Sequence, residues 1–395
     1  MRRCCGVWLV ALLAVGAFGS PARAQISVIL DATGDGKGHT LKGAMGPAVD
    51  ARGNVYAVGM FSDNVFRVAP SGEVRQILDG SGDGLGNRLV KPRDLAVDAR
   101  GNVYVVGQDS RNVFKVTPAG KISQIFAHSE KGEQRHRFIR PTRITTGGQG
   151  NVYVSGQNSN NVFRITPAGE ITEIIDVAGD GQGHELRRPN GLAADAKGNL
   201  YVVGAKTRNA FKVTPSGEIT QILDGTGAGE GQKLVFPNGV AVDGAGNVYV
   251  IGNNSGNLLR IAPDGKIVQL MGKEVDGVPL SGCSAVAVTP EGTVFLARFG
   301  RHSAWRVARD GSLTKILDVS GAGDGKFVKA ARGVAVDAKG RVYVAGLGSH
   351  NVFRIVPPPA GAARWGEKKP EGVKTPEDAP GPGAEEKPED APASG

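Results

Sequence analysis

Short apolar runs rich in Val, Ile, Phe and Tyr follow one another from residue 25 to residue 356, and turn residues separate them. No stretch in this region sustains the three-to-four-residue apolar spacing of an amphipathic helix, so the chain is expected to be all-β. One stretch shows the unit. Leu95–Val97, Val103–Val106, Val113–Val116 and Ile122–Ile125 each predict a strand, with β-branched and aromatic residues in all but the last. Asp98-Ala99-Arg100-Gly101-Asn102 and Thr117-Pro118-Ala119-Gly120-Lys121 stand between them as tight hairpin turns, with glycine where positive φ is needed.

The unit repeats. An Asn-Val-Tyr-like motif falls at Asn54, Asn102, Asn151, Asn199, Asn247, Thr293 and Arg341, at steps of 46 to 49 residues. About ten residues after each comes an Asn-Val-Phe-like motif, beginning at Asn64, Asn112, Asn161, Asn209, Asn257, Ala304 and Asn351. A period near fifty built of four short strands predicts a β-propeller, whose blades bury their faces only against one another. The seventh copy lacks its fourth strand, while a matching run, Gln25–Asp31, stands alone near the N-terminus. The expected fold is therefore a seven-bladed β-propeller of four-stranded blades, the last one closed by the N-terminal strand, which removes exposed edges.

The ends read differently. Residues 1–24 carry Arg2 and Arg3, an apolar run from Val7 to Phe18, and Ala22-Arg23-Ala24, the order of a cleaved secretory signal. The run is shorter than the ~20 residues of a spanning helix, so no transmembrane segment is expected after cleavage. Residues 357–395 turn to Pro, Glu, Lys, Ala and Gly and predict a disordered tail. The propeller is thus assigned to residues 25–356, and the protein to the periplasm or the medium as a monomer. Cys4 and Cys5 leave with the signal, so Cys283 has no partner for an internal disulfide. The formal charge of the whole chain is +9. The propeller carries that excess, because three arginines before residue 25 offset the net −3 of the tail. A basic body favours anionic partners. Nucleic acid is not expected, given the export signal and the lack of an aromatic stacking set beside the basic residues.

Stretches such as PNGLAADAKGNLYVVG and NNVFRITPAGEITEIID resemble NHL-type repeats and related bacterial propeller repeats, over residues 25 to 356. That resemblance implies the fold and leaves activity open, since such propellers include enzymes and interaction scaffolds. Asn190 and Asn238, each in Pro-Asn-Gly, resemble a metal-ligand position of the six-bladed gluconolactonase and regucalcin family, but no carboxylate pair accompanies them. The streptogramin B lyase type is similar in architecture, and its Trp-Phe-Thr-Glu-like strand is absent.

Strands alternate in direction, so the tight turns share one face, and the B/C loops and longer D-to-A links share the other. A site is expected on the second face, at the channel mouth. The residue opening each A strand is Met45, Arg93, Thr142, Asn190, Asn238, Ser284 or Arg332, a set that varies while the frame repeats. With Arg143 one place further on and Arg140, Arg187 and Arg188 upstream, guanidinium groups could converge on an anion. Ligand-binding residues are expected at Arg93, Arg143, Asn190, Asn238, Arg332 and His184. All six histidines (His39, His128, His136, His184, His302, His350) fall in loops of this face without metal-ligand spacing. The D-to-A links carry Asp-Gly patterns, as in Asp79 to Gly84, which suit either turns capped by their own aspartates or a calcium site lacking its last carboxylate. Strand C bears a basic residue in every blade, from Arg67 to Arg354, expected to meet acids of the A/B turns such as Asp98.

The expected function is an exported scaffold that binds a small anionic molecule or a protein or peptide partner. The competing expectation is a divalent-metal-dependent hydrolase or lyase using the same mouth. Cofactor and catalytic residues stay unknown.

Overall fold

The computed structural model describes residues 24–358 apart from 130–136, 230–231, 273, 276–277, 280 and 310. The expected leader and tail, but for the residues next to the propeller, lie outside the described residues, as does His136. Seven antiparallel four-stranded sheets form the blades of a propeller. In the second blade the strands are Pro92–Val97 (A), Val103–Gly107 (B), Asn112–Val116 (C) and Ile122–Ala127 (D). The A strands of successive blades pack side by side around the axis. No described helix is long and apolar enough to cross a membrane.

The repeated sequence follows from burial. Strand B is buried at every position in the second blade, and strand C everywhere except its basic residue. Strand D, at the rim, is mostly half-buried, which explains its looser composition. Asn112 opens strand C as a latch: its amide donates to the Arg88 carbonyl at 3.0 Å and the Gln124 side chain at 2.9 Å, while Ser110 donates to its oxygen at 2.7 Å. Gly107 must be glycine, because a Cβ there would sit 2.1 Å from Ser110 Oγ and 2.7 Å from Asn112 Oδ1. Strand pairing in the sixth blade aligns Ser303, not Ala304, with the latch asparagines, because Arg298 pairs with Ser303 as Gly107 pairs with Asn112. There the glycine is replaced by the buried Arg298 and the latch is gone.

The seventh blade closes as expected. Gln25–Leu30 pairs antiparallel with Asn351–Val356, and Lys326 Nζ reaches Asp31 Oδ2 at 2.7 Å just beyond it.

The basic residues of strand C depart from expectation. Asp98 is held by its own turn: one oxygen accepts from the amides of Arg100 and Asn102, the other from the Asn102 side chain at 2.7 Å and the Tyr104 hydroxyl at 3.0 Å. Burial raises the Asp98 carboxyl, but these hydrogen bonds outweigh it and hold the group below its ordinary value. Lys115 lies cross-strand from Tyr104, its Nζ 5.8 Å from the ring centroid. The turn acid is thus taken by Asn and Tyr, and the basic stem covers the tyrosine instead. The fifth blade repeats the network around the buried Asp243, with Asn247 and Tyr249 as donors. Asp243→Ala is expected to cost about 1–3 kcal/mol by leaving those donors unpaired. An unchanged urea midpoint would show the network to be dispensable.

In the third blade the turn acid is replaced by Gly147. Between the second and third blades the turn face then holds a cavity of about 330 Å³, lined in part by Arg100, Lys115 and Gly147. A face expected to consist of tight turns alone therefore has an opening here.

Candidate functional site at the channel mouth

Each A strand enters at the mouth through a β-bulge. In the second blade Pro92 pairs with Gly107 and Asp94 with Val106, so Arg93 is the extra residue, and Thr142, Asn190, Asn238, Ser284 and Arg332 are its equivalents. A bulge sets two successive residues against one partner and re-aims both side chains. The axial cavity, about 130 Å³, is accordingly lined from both positions: Met45, Asn238 and Arg332 from the first, and Asp94 and Arg143 with small residues from the second.

Of the second position only Arg143 was expected from the sequence, and the position does most to shape the cavity. Around the ring it reads Gly46, Asp94, Arg143, Gly191, Gly239, Ala285 and Gly333. Five small residues leave room, and two charged ones project into it. The room is close-fitted. A Cβ on Gly46 would lie 2.8 Å from Asp94 Oδ1, and one on Gly333 would lie 2.4 Å from Pro47 Cδ.

Arg143 spans the cavity wall, donating from Nε to the Asn190 carbonyl at 2.8 Å and from Nη2 to the Asn238 carbonyl at 3.5 Å. Asp94 accepts from the backbone amides of Leu95 and Ile144. Burial pushes its carboxyl up to about 6, against the pull of Arg143, the Ile144 and Leu95 amides, and Arg93. Arg93 is driven the other way. Burial first, then the charges of Arg332, Arg143 and Arg140, bring its guanidinium down to about 9, with Asp94 opposing. Arg332 lies over the ring of Phe299, 4.9 Å from its centroid. Among the described lining residues Asp94 is the single carboxylate, so positive charge is in excess.

The predicted residues divide. Arg143 and Arg332 line the axial cavity, and Arg93 feels the charge of both without being among its lining residues. Asn190 and Asn238 are at the mouth, but both are buried and their amides are used: Gln157 Nε2 donates to Asn190 Oδ1 at 3.0 Å, and Asn190 Nδ2 donates to Asn238 Oδ1 at 2.6 Å. They tie the third, fourth and fifth blades together. His184 lies in a D-to-A link, its Nδ1 2.7 Å from Asp180 Oδ2, and is not among the residues lining the axial cavity.

Two other histidines serve the frame. His302 and His350 accept through Nδ1 from the amides of Ala330 and Gly43 in the next blade, as Asp63 and Asn160 accept from Lys91 and Arg188. The Asp-Gly links are turns capped by their own aspartates: Asp79 Oδ1 accepts from Ser81 N at 2.8 Å, and Asp83 Oδ1 from Leu85 N at 3.0 Å.

One family profile, that of the teneurin NHL domain, matches residues 65–276. Among solved structures, the chain is similar to virginiamycin B lyase from Staphylococcus aureus, with a TM-score of 0.65, 15% identity, and coverage of 84% of this chain and 99% of that one. A streptogramin B lyase structure aligns with a TM-score of 0.65 at 13% identity, covering 84% of this chain and 97% of the other. At such identities the likeness shows the propeller fold alone. No match is found among curated protein sequences.

Proposed function

The chain belongs to the teneurin NHL domain family, and from that premise we propose that it is an exported binding scaffold whose ligand is a small anion held at the channel mouth. The observation carrying this reading is that Arg143 and Arg332, with Arg93 close enough for its charge to be felt by both, stand at a cavity whose described lining contains one carboxylate, Asp94. Guanidinium groups packed together without enough counter-charge are held at a cost, which an arriving anion relieves. Export rests on the basic, apolar, small-residue order of residues 1–24.

A divalent cation does not fit this mouth. The carbonyl-bearing amides of Asn190 and Asn238 are engaged by each other and by Gln157, and the nearest charges are guanidiniums. Among the described residues no three His, Cys, Asp or Glu side chains converge as ligands.

Sulfate, phosphate and citrate, each compared with sodium chloride at matched ionic strength, are expected to raise the melting temperature. A native-state ligand at a hundred times its Kd stabilises by about 2.7 kcal/mol. Arg332→Gln, chosen because Arg143 also braces the wall, should weaken the anions at least tenfold while the ligand-free melt stays cooperative. Equal responses to chloride and to every test anion would remove the reading.

A further inference from the structure

The mouth is two-sided. Seven residues occupy equivalent places just after strand B, each donating its amide to the carbonyl that precedes the neighbouring A strand: Met60, Gln108, Gln157, Ala205, Asn253, Phe299 and Leu347. Gln157 shows what this position does, since its side chain reaches the A-strand bulge of the next blade at Asn190. Phe299 does the same at Arg332, through its ring.

From the sixth blade round to the first, these places hold Phe299, Leu347 and Met60, and Met45 lies between them on the cavity wall. Leu347 and Met60 pack on the cluster containing Met45, and both remain half-buried. Phe299 stays 36% exposed although one of its faces is covered by Arg332. Opposite, Gln108, Gln157 and Asn253 make the rim polar. Arg93 and Arg332 stand at the two ends of the apolar arc, one blade to either side of Met45.

Resting on the anion reading above, we propose that the ligand is an amphiphilic organic acid: a carboxylate at Arg143 and Arg332, in the field of Arg93, with an aryl or alkyl body lying on Phe299, Leu347, Met60 and Met45. The sizes agree with this. A cavity of about 130 Å³ takes a head group and little more, so the body of the ligand must rest on the rim. An inorganic anion would use the arginines and leave the apolar arc wet. A neutral apolar molecule would bring no negative charge to the arginines. The acid with an apolar body satisfies both, and side-by-side charged and apolar contacts are how small-ligand sites set orientation.

Calorimetric titration of the purified protein with acetate, butyrate, hexanoate, octanoate, phenylacetate and 3-phenylpropionate tests this, with sulfate as the anion control. Affinity is expected to rise about fourfold per methylene while the body covers the arc, so that 3-phenylpropionate binds at least tenfold tighter than acetate. Leu347→Ser should flatten the series and leave sulfate binding unchanged. Phe299→Leu, which keeps an apolar surface but removes the ring, should reduce the advantage of the aryl acids over alkyl acids of similar size. If sulfate binds and the carboxylates bind without dependence on their bodies, the amphiphile is wrong and the anion site stands. If neither sulfate nor any carboxylate binds, the anion reading falls and takes this inference with it.

Discussion

A chain beginning at Ala32 instead of Gln25 is expected to lose cooperative folding. The missing segment is the outer strand of the seventh blade, which pairs with Asn351–Val356 along its length. Leu30 is buried, and Ile26 and Val28 pack on the cluster that includes Phe353 and Ile355. Full burial of one such side chain is worth about 1.5–3 kcal/mol, and Leu30 in full, Ile26 and Val28 in part, and a strand's hydrogen bonds together approach the lower end of the ~5–15 kcal/mol by which a domain is stable. Deletion also removes Asp31, whose carboxylate binds Lys326 across the closure. Without the strand, Asn351–Val356 becomes an edge open to other chains, so aggregation should accompany the loss. The comparison is a circular dichroism melt of chains starting at Gln25 and at Ala32. Adding a peptide of residues 25–31 should partly restore the shorter chain. Two melts alike in midpoint and steepness would mean that six blades and three strands stand without closure.

The second large effect is expected at Asp94. Its carboxyl is raised from the ordinary 3.8 to about 6 in the folded protein, chiefly by burial. The native state therefore holds the proton more tightly than the unfolded chain does. The contribution of Asp94 to stability is greatest below about pH 4, falls as pH rises from about 4 to 6, and carries the full penalty above that. At 1.36 kcal/mol per unit the penalty at pH 7 is about 3 kcal/mol. Asp94→Asn removes the charge and keeps one oxygen, enough for either the Leu95 amide, which donates to Oδ1, or the Ile144 amide, which donates to Oδ2. The variant should gain most of that stability at pH 7, and the two proteins should differ least near pH 4. The same change removes the mouth's carboxylate, so anion affinity at pH 7 should rise several-fold and its dependence on pH between 5 and 7 should flatten. A variant less stable than the parent at pH 7 would mean that the ionised Asp94 is needed by Arg93 and Arg143, and that its buried charge is compensated in full.

Much of the frame was legible because its causes are local. Gly101 and Gly120 take the positive φ that the hairpins require, and Val103–Gly107 is apolar throughout because it lies between sheets on both faces. The candidate site was legible in part. Arg93, Arg143 and Arg332 stood out because they broke a repeated position. Asn190 and Asn238 stood out for the same reason, yet their amides face one another across a blade boundary, a pairing that spans 48 residues and leaves no mark on either Pro-Asn-Gly. Asp94 was not among the residues expected to bind, because its environment is made by residues from other blades, with Gly46 on one side and Ile144 on the other.

By itself the sequence determined the repeat, the seven-fold closure and the identity of the blade frame, since strand period, turn chemistry and burial act over a few residues and recur in every copy. Tertiary structure decided which side chains reach the axis. A strand's alternation would send Arg93 and Asp94 to opposite faces, but the bulge at the mouth breaks that alternation, and bringing seven such bulges round one axis sets two charged residues and five small ones against a single cavity.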